Sequence, residues 1–437
     1  MNRTVNKGTT LLVDGPASVI VTSGKVKAFG SEICQKARVV VREGKRMPFA
    51  VEETAGFEIA LGETGSAEEV EENTVPASWS KSSEELRDLE ARPATAMIIG
   101  GVDSGKTSLC TYLVNKLLHE KRKIAILDGD VGQSDIGPPS TVSYAFVTRP
   151  ITDLFSLEAK NAIFIGETSP SKATDKIAKA LISLKNEALN GNPDYVIINT
   201  DGWVEGECAT DYKAQLVNEL DPNIVFLVKQ KDELDPLIQR LDKPAKVIVD
   251  SPSAIKQRDA DNRRSLRELG YIKYLRNAKV QSLSLNWLSF EGNEIFDVCK
   301  SKANVRQASK IHELLGMKPL QLSEVNDKIC VVIGRRRWID PEIIKRVETY
   351  TKKKVAVFRK GEEEGLLAGV YDANRKFLGI AVLTEIDYLR KNLKISTPVS
   401  EGICFLALGK IKLDKNMKEV AVTEENSTNF SDMKRLF

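Results

Sequence analysis

The segment Gly100-Gly101-Val102-Asp103-Ser104-Gly105-Lys106-Thr107 constrains this chain more than any other. It fits the pattern G-x-x-x-x-G-K-[ST]. It follows the apolar run Ala94–Gly100 and opens a helical stretch from Lys106 to about Glu120. Strand, glycine turn and helix in that order aim consecutive backbone N–H groups into one anion-sized hollow, and the helix N-terminus adds partial positive charge. Lys106 can reach β- and γ-phosphate oxygens, and the Thr107 hydroxyl can ligate Mg²⁺. The predicted nucleotide contacts are therefore Gly100, Gly101, Val102, Asp103, Ser104, Gly105, Lys106, Thr107 and the adjoining Ser108. ATP is the default donor, because no guanine-reading Asn-Lys-x-Asp motif is present.

A carboxylate is needed at the end of a neighbouring strand, and Lys123-Ile-Ala-Ile-Leu-Asp128-Gly-Asp130-Val-Gly-Gln133 supplies two. Two residues apart in an extended segment, Asp128 and Asp130 would face the same way. Either can hold Mg²⁺ or accept a proton from an attacking hydroxyl.

The surrounding pattern sets the fold class. Short apolar runs at Ala94–Gly100, Lys123–Asp128, Ala162–Ile165, Tyr195–Ile198, Ile224–Val228 and Lys246–Val249 alternate with helical stretches. That alternation predicts an α/β P-loop NTPase fold, a parallel sheet with helices on both faces. Upstream, β-prone runs between Gly8 and Gly62 predict an N-terminal β-rich domain, followed by an acidic exposed loop over Glu63–Asn73 and a short helix over Ser82–Leu89. After Asn286 the alternation stops, and runs such as Ile329–Ile333 and Lys354–Phe358 predict a C-terminal β-rich domain. The expected division is 1–75, a linker and helix over 76–92, a nucleotide domain over 93–290, and 291–437. The polar tail from Thr423 reads as loosely ordered.

Composition removes several alternatives. With only His119 and His312, a His-rich zinc site is excluded and little remains for a Ser-His-Asp triad, so chemistry must rest on carboxylates, lysine and hydroxyls. No apolar run long enough to span a membrane occurs, and Met1–Thr10 lacks a secretory core. Six scattered cysteines suit a reducing cytoplasm. The net charge of +3 confines any nucleic-acid contact to a local patch. Arg335-Arg336-Arg337-Trp338 is one candidate for such a patch.

Five motifs in order, Gly100–Thr107, Asp128-Gly-Asp-Val-Gly-Gln133, Gly166-Glu-Thr-Ser-Pro170, Asn199-Thr-Asp-Gly-Trp203 and the basic segment Arg258–Tyr274, carry a family resemblance. Together they resemble the polynucleotide 5′-hydroxyl kinases of pre-mRNA cleavage, tRNA splicing and pre-rRNA processing, in their archaeal form. The likeness runs over nearly the whole chain. It implies Mg²⁺ and ATP, or another nucleoside triphosphate, acting on RNA 5′ ends, with DNA as a second candidate, and RNA-processing proteins as partners. By the same resemblance Asp130 would be the general base near Mg²⁺. Gln133, Thr168 and Ser169 would lie by the terminal nucleotide, and Trp203 would stack on a base. Asp103 fits the family's phosphate loop, and Arg263 and Arg267 would form an R-x-x-x-R lid over the phosphates. Two rival classes stay open: a nucleotide-binding scaffold with little turnover, and a regulatory GTPase or ATPase.

Overall fold

The computed structural model describes residues 1–292, 296, 298, 299 and 308–420, and the tail from Thr423 lies outside them. The chain forms two compact units, Met1–Tyr271 and Ile272–Phe437.

The first unit begins with β1 (Asn2–Val5), β2 (Thr10–Asp14), β3 (Ala17–Ala28), β4 (Ser31–Glu32), β5 (Arg38–Val41), β6 (Arg46–Leu61) and β7 (Ser66–Val70). They make one antiparallel sheet in the order β4-β3-β6-β2-β7, with β1 on β6 and β5 on β3. The long β3–β6 ribbon changes register between Val21 and Val26, and such bulges bend and twist a ribbon. The acidic stretch expected to be a loop instead contains β7, which pairs antiparallel with β2. Its glutamates suit an edge strand, where charge discourages pairing with other chains.

Helix α1 (Ala77–Asp88) leads to the nucleotide sheet: β8 (Ala94–Gly100), β9 (Ile124–Asp128), β10 (Thr141–Val147), β11 (Asn161–Phe164), β12 (Tyr195–Asn199), β13 (Ile224–Lys229) and β14 (Ala245–Asp250). Its order is β11-β10-β9-β12-β8-β13-β14. The pairs β9–β12, β12–β8, β8–β13 and β13–β14 are parallel, whereas β10 runs antiparallel to both neighbours. The expected parallel sheet thus carries one reversed strand. The apolar pattern of its sequence, Thr-Val-Ser-Tyr-Ala-Phe-Val, is interrupted by Ser143. The helices are α2 (Lys106–Leu118), α3 (Thr174–Leu189), α4 (Glu207–Leu220), α5 (Asp235–Arg240) and α6 (Ala260–Tyr274). Among the described residues no helix is long and apolar enough to cross a membrane.

The N-terminal strands and the nucleotide sheet share a single apolar core, running from Val5, Phe49 and Phe57 through Trp79 to Ile98, Leu113 and Phe226. Polar contacts stitch it. The buried Asn115 of α2 donates to Phe29 O (2.9 Å) and Ile151 O (2.8 Å) and accepts from Ile151 N. Trp79 Nε1 donates to Asp250 O, and the Trp79 ring meets Tyr112 edge-on. Arg42 binds Asp153 and Asp135 together, and Lys45 takes the other Asp135 oxygen at 2.9 Å.

The second unit is not purely β. Besides a sheet that includes Leu366–Tyr371, Phe377–Asp387, Asn392–Thr397 and Phe405–Leu413, it holds a three-stranded sheet of Gln321–Val325, Lys328–Ile333 and Lys354–Arg359. Its last two strands are parallel and joined through the helix Pro341–Thr351. Reading Ile329–Ile333 and Lys354–Phe358 as β-domain strands missed this crossover, because the amphipathic helix between them was overlooked.

Candidate active site

The phosphate loop turns on two left-handed residues, Asp103 (φ 54°) and Gly105 (φ 98°). Glycine takes that conformation without strain, whereas Asp103 needs support. Arg258 provides it: its Nε donates to Asp103 Oδ1 at 2.7 Å, its guanidinium pairs with the same carboxylate, and its backbone N–H donates to Oδ2 at 2.8 Å. The Ser104 hydroxyl is buried with no partner among the described residues. The Lys106 ammonium turns back to Gly101 O at 2.6 Å. A cradle with an unpartnered hydroxyl, and a lysine bonded only to its own loop, fits a phosphate guest.

Burial pushes Lys106 down to about 8, against the upward pull of Asp130, Asp201 and Asp103. The loop opens on a cavity of about 1220 Å³ lined by Gly101, Val102, Asp103, Ser104, Gly105, Lys106, Thr107 and Ser108. Gly100 does not line it. Gly100 sits under the loop, where a Cβ would meet Ser104 Oγ at 2.6 Å and Val228 O at 2.7 Å.

The two aspartates expected to share a direction do not. Strand β9 ends at Asp128, and the chain then turns. Asp128 is wholly buried: Oδ2 accepts from Asp135 N (2.7 Å) and Ile136 N (3.2 Å), and Oδ1 accepts from Asn199 Nδ2 (3.2 Å). Burial, with the nearby Asp135 and Asp130 charges, lifts it to about 7. Asp128 braces the turn and does not reach the cavity. Asp130 lines the cavity. Its Oδ1 accepts from Gly132 N (3.1 Å) and Gln133 N (3.0 Å), while Oδ2 accepts no hydrogen bond among the described residues. Burial raises its pKa, with Lys106 pulling the other way.

The remaining candidates converge on the same cavity: Gln133, Thr168, Ser169, Trp203, Arg263 and Arg267 all line it. Gln133 Nε2 donates to Arg263 O at 3.0 Å, tying the Asp130 turn to α6. Arg263 and Arg267 are four apart on α6 and so share a face, while Arg264 pairs instead with Glu268. Ser169 does not cap α3; its hydroxyl meets that of Ser171 at 2.9 Å. Gly202 brings the Trp203 turn close, since a Cβ there would lie 2.9 Å from Val102 N.

Trp203 is positioned by residues the sequence did not single out. Its N–H donates to Asp201 Oδ1 at 3.0 Å, and its ring stacks on Tyr212, centroids 5.8 Å apart. The Tyr212 hydroxyl donates to Asp201 Oδ2 at 3.1 Å, held protonated by burial and that carboxylate. Lys213, 0% exposed, pairs with Asp201 Oδ2 at 2.9 Å. Asp201 stood inside the Asn199–Trp203 motif and could have been picked out there. Lys213 looked like any lysine on an amphipathic helix, and nothing local marked it. Arg258 lay in the basic segment, but its pairing with Asp103, 155 residues away in sequence, was invisible.

For Mg²⁺ the donor set is a hydroxyl and a carboxylate, Thr107 and Asp130, beside the phosphate cradle. Mg²⁺ is commonly held by one or two carboxylates plus substrate phosphates, so these residues fit the ion.

A glycine loop between a parallel strand and a helix, with its lysine and a carboxylate lining one cavity, defines an α/β nucleotide-binding protein of the P-loop class. Residues 100–277 match the family model described as mRNA cleavage and polyadenylation factor CLP1 P-loop. The polyribonucleotide 5′-hydroxyl-kinase of Methanocaldococcus jannaschii is 26% identical over 345 residues, covering 77% of this chain and 91% of its own. Namesakes from Pyrococcus furiosus and Thermococcus kodakarensis are 28% and 29% identical, covering 77% and 76% of this chain and 92% and 91% of theirs. The fold is shared with solved Clp1p, in its complex with Pcf11p, at a TM-score of 0.65 and 14% identity, over 94% of this chain and 97% of that one.

Proposed function

We propose that this chain is a polynucleotide 5′-hydroxyl kinase, moving the γ-phosphate of ATP or another nucleoside triphosphate to the 5′-hydroxyl of RNA. One observation carries the reading. A single cavity holds a phosphate cradle, a carboxylate with an open oxygen, a motif tryptophan and two helix-borne arginines. A hydrolase needs the first two; the tryptophan gives a polynucleotide a stacking surface. The archaeal relatives, named polyribonucleotide 5′-hydroxyl-kinases, support RNA as acceptor.

In this reading Asp130 Oδ2 takes the proton as the 5′-oxygen attacks the γ-phosphorus in line, and the nucleoside diphosphate departs. Lys106, Arg263 and Arg267 offset the negative charge on the phosphate oxygens, which is most of what a protein contributes to phosphoryl transfer. Mg²⁺, held by Thr107 and Asp130, would supply further charge neutralisation there. Trp203 and the Thr168–Ser169 turn orient the terminal nucleotide. A cytoplasmic setting goes with the reading, since all six cysteines are free thiols. So does a protein partner, on the analogy of Clp1p with Pcf11p.

Purified protein with γ-labelled ATP, Mg²⁺ and matched 5′-hydroxyl RNA and DNA oligomers tests the proposal. Label is expected on RNA and lost without Mg²⁺. Hydrolysis of ATP with no label on either oligomer would return the chain to the hydrolase class, and nucleotide binding without turnover to the scaffold class.

A further inference from the structure

The basic run Arg335–Trp338 takes no part in the site above, and its setting in the second unit is specific. It leaves Ile333 at the carboxyl end of a parallel strand pair, in which Ile333 stands opposite Arg359. Open α/β sheets bind ligands at that end of their strands. The run makes a tight turn, Arg337 N donating to Gly334 O at 2.9 Å, before the helix that starts at Pro341.

Its four side chains are unequal. Arg335 is committed, lying against Gly361 and paired with Glu364. Arg336 and Arg337 are exposed and make no ion pair or side-chain hydrogen bond among the described residues. Trp338 is 48% exposed, and the Arg359 guanidinium covers it at 4.9 Å from the ring centroid. About half of the Trp338 surface stays accessible beside two exposed guanidinium groups, an arrangement that matches a base with its flanking phosphates.

We propose that this turn is a second, sequence-tolerant binding site for single-stranded RNA, in which Trp338 stacks on a base while Arg336 and Arg337 hold backbone phosphates. The site extends the RNA reading of the chain. It also answers the charge problem, because a molecule of net charge +3 must bind polyanions through local patches. An acidic peptide could use the same arginines, but an exposed indole adds most where the ligand presents a planar ring.

The test is direct binding by the full chain, without nucleotide, of a labelled single-stranded RNA of about twenty nucleotides. A 5′-phosphate on that RNA prevents turnover. Trp338→Ala is expected to weaken binding roughly five- to hundredfold, and Trp338→Phe to restore most of it. The double variant Arg336→Ala/Arg337→Ala should flatten the dependence of log affinity on log salt by about 1.4, two phosphates' worth for a single strand. Unchanged melting temperature and ATP affinity confirm that each variant is folded. Wild-type RNA affinity and salt slope in both variants would overturn the site, and so would loss of poly-glutamate binding with RNA binding intact. Failure of the kinase reading would show separately, as absence of label transfer by the wild-type chain.

Discussion

Two turns leave neighbouring parallel strands at the same end of the nucleotide sheet, one after β9 and one after β12, and they treat their aspartates in opposite ways. Asp201 is locked: a wholly buried lysine, a tyrosine hydroxyl and a backbone N–H saturate it. Asp130 is held by one oxygen only, through amides of its own turn, and no ion pair neutralises it among the described residues. Both lie within electrostatic reach of Lys106. A buried carboxylate given a cation becomes scaffold. Given none by the protein, Asp130 keeps one oxygen open for a metal ion or a proton, and burial raises its pKa.

The sharpest way to break this contrast is to neutralise each aspartate. Asp130→Asn should cut label transfer by about 10²- to 10⁴-fold while ATP binding persists. Because burial raises the folded-state pKa of Asp130, its ionised form costs stability at neutral pH. The same variant should therefore melt no lower than wild type. Full turnover in Asp130→Asn would move the base elsewhere.

The locked turn should respond through stability instead. Lys213→Met leaves Asp201 charged, buried and uncompensated, at a cost of about 3–5 kcal/mol read from denaturant melts. Adding Asp201→Asn should recover most of that loss, and a double variant as unstable as the single one would show that packing, not charge, is responsible. A smaller effect tests what the locked turn carries. Trp203→Ala should raise KM for RNA roughly five- to hundredfold with nucleotide affinity unchanged.

The mildest effect is a pH dependence. Free Lys106 has a pKa near 8, and a bound triphosphate favours its charged form. Below pH 8 Lys106 already carries the proton, so this group adds no pH dependence to nucleotide affinity there. Above it, binding must take up a proton, and affinity should fall by up to about tenfold per pH unit. For the unliganded fold the sign is opposite, since the folded pKa lies below the usual 10.5 and this group's contribution to stability rises with pH between the two. Calorimetry in buffers of different ionisation enthalpy should detect proton uptake above pH 8 that fades as the pH falls through 8.

The phosphate loop, the strands of the nucleotide sheet and the converging motif residues could be read from the sequence because each is written locally. A glycine pattern, an apolar run and an i, i+4 arginine pair all lie within a few residues. What could not be read depends on partners brought from far along the chain. Asp128 and Asp130 look alike until the turn after β9 sends one into the core. Lys213 gains its importance only when α4 lays it under Asp201. Strand β10 escaped because Ser143 interrupts its apolar pattern and leaves only the short run Tyr144–Val147, and the C-terminal crossover escaped because its helix is short, with polar residues around Ile343, Ile344 and Val347.

The core that the N-terminal strands share with the nucleotide sheet also limits how this protein can be recombined. Joining a relative's nucleotide domain to this chain near residue 92 would mate two halves of one jigsaw, facing Phe49, Trp79 and Phe226 with side chains shaped for a different partner. A block that keeps this core and α6 whole begins at Met1 and runs past Tyr274.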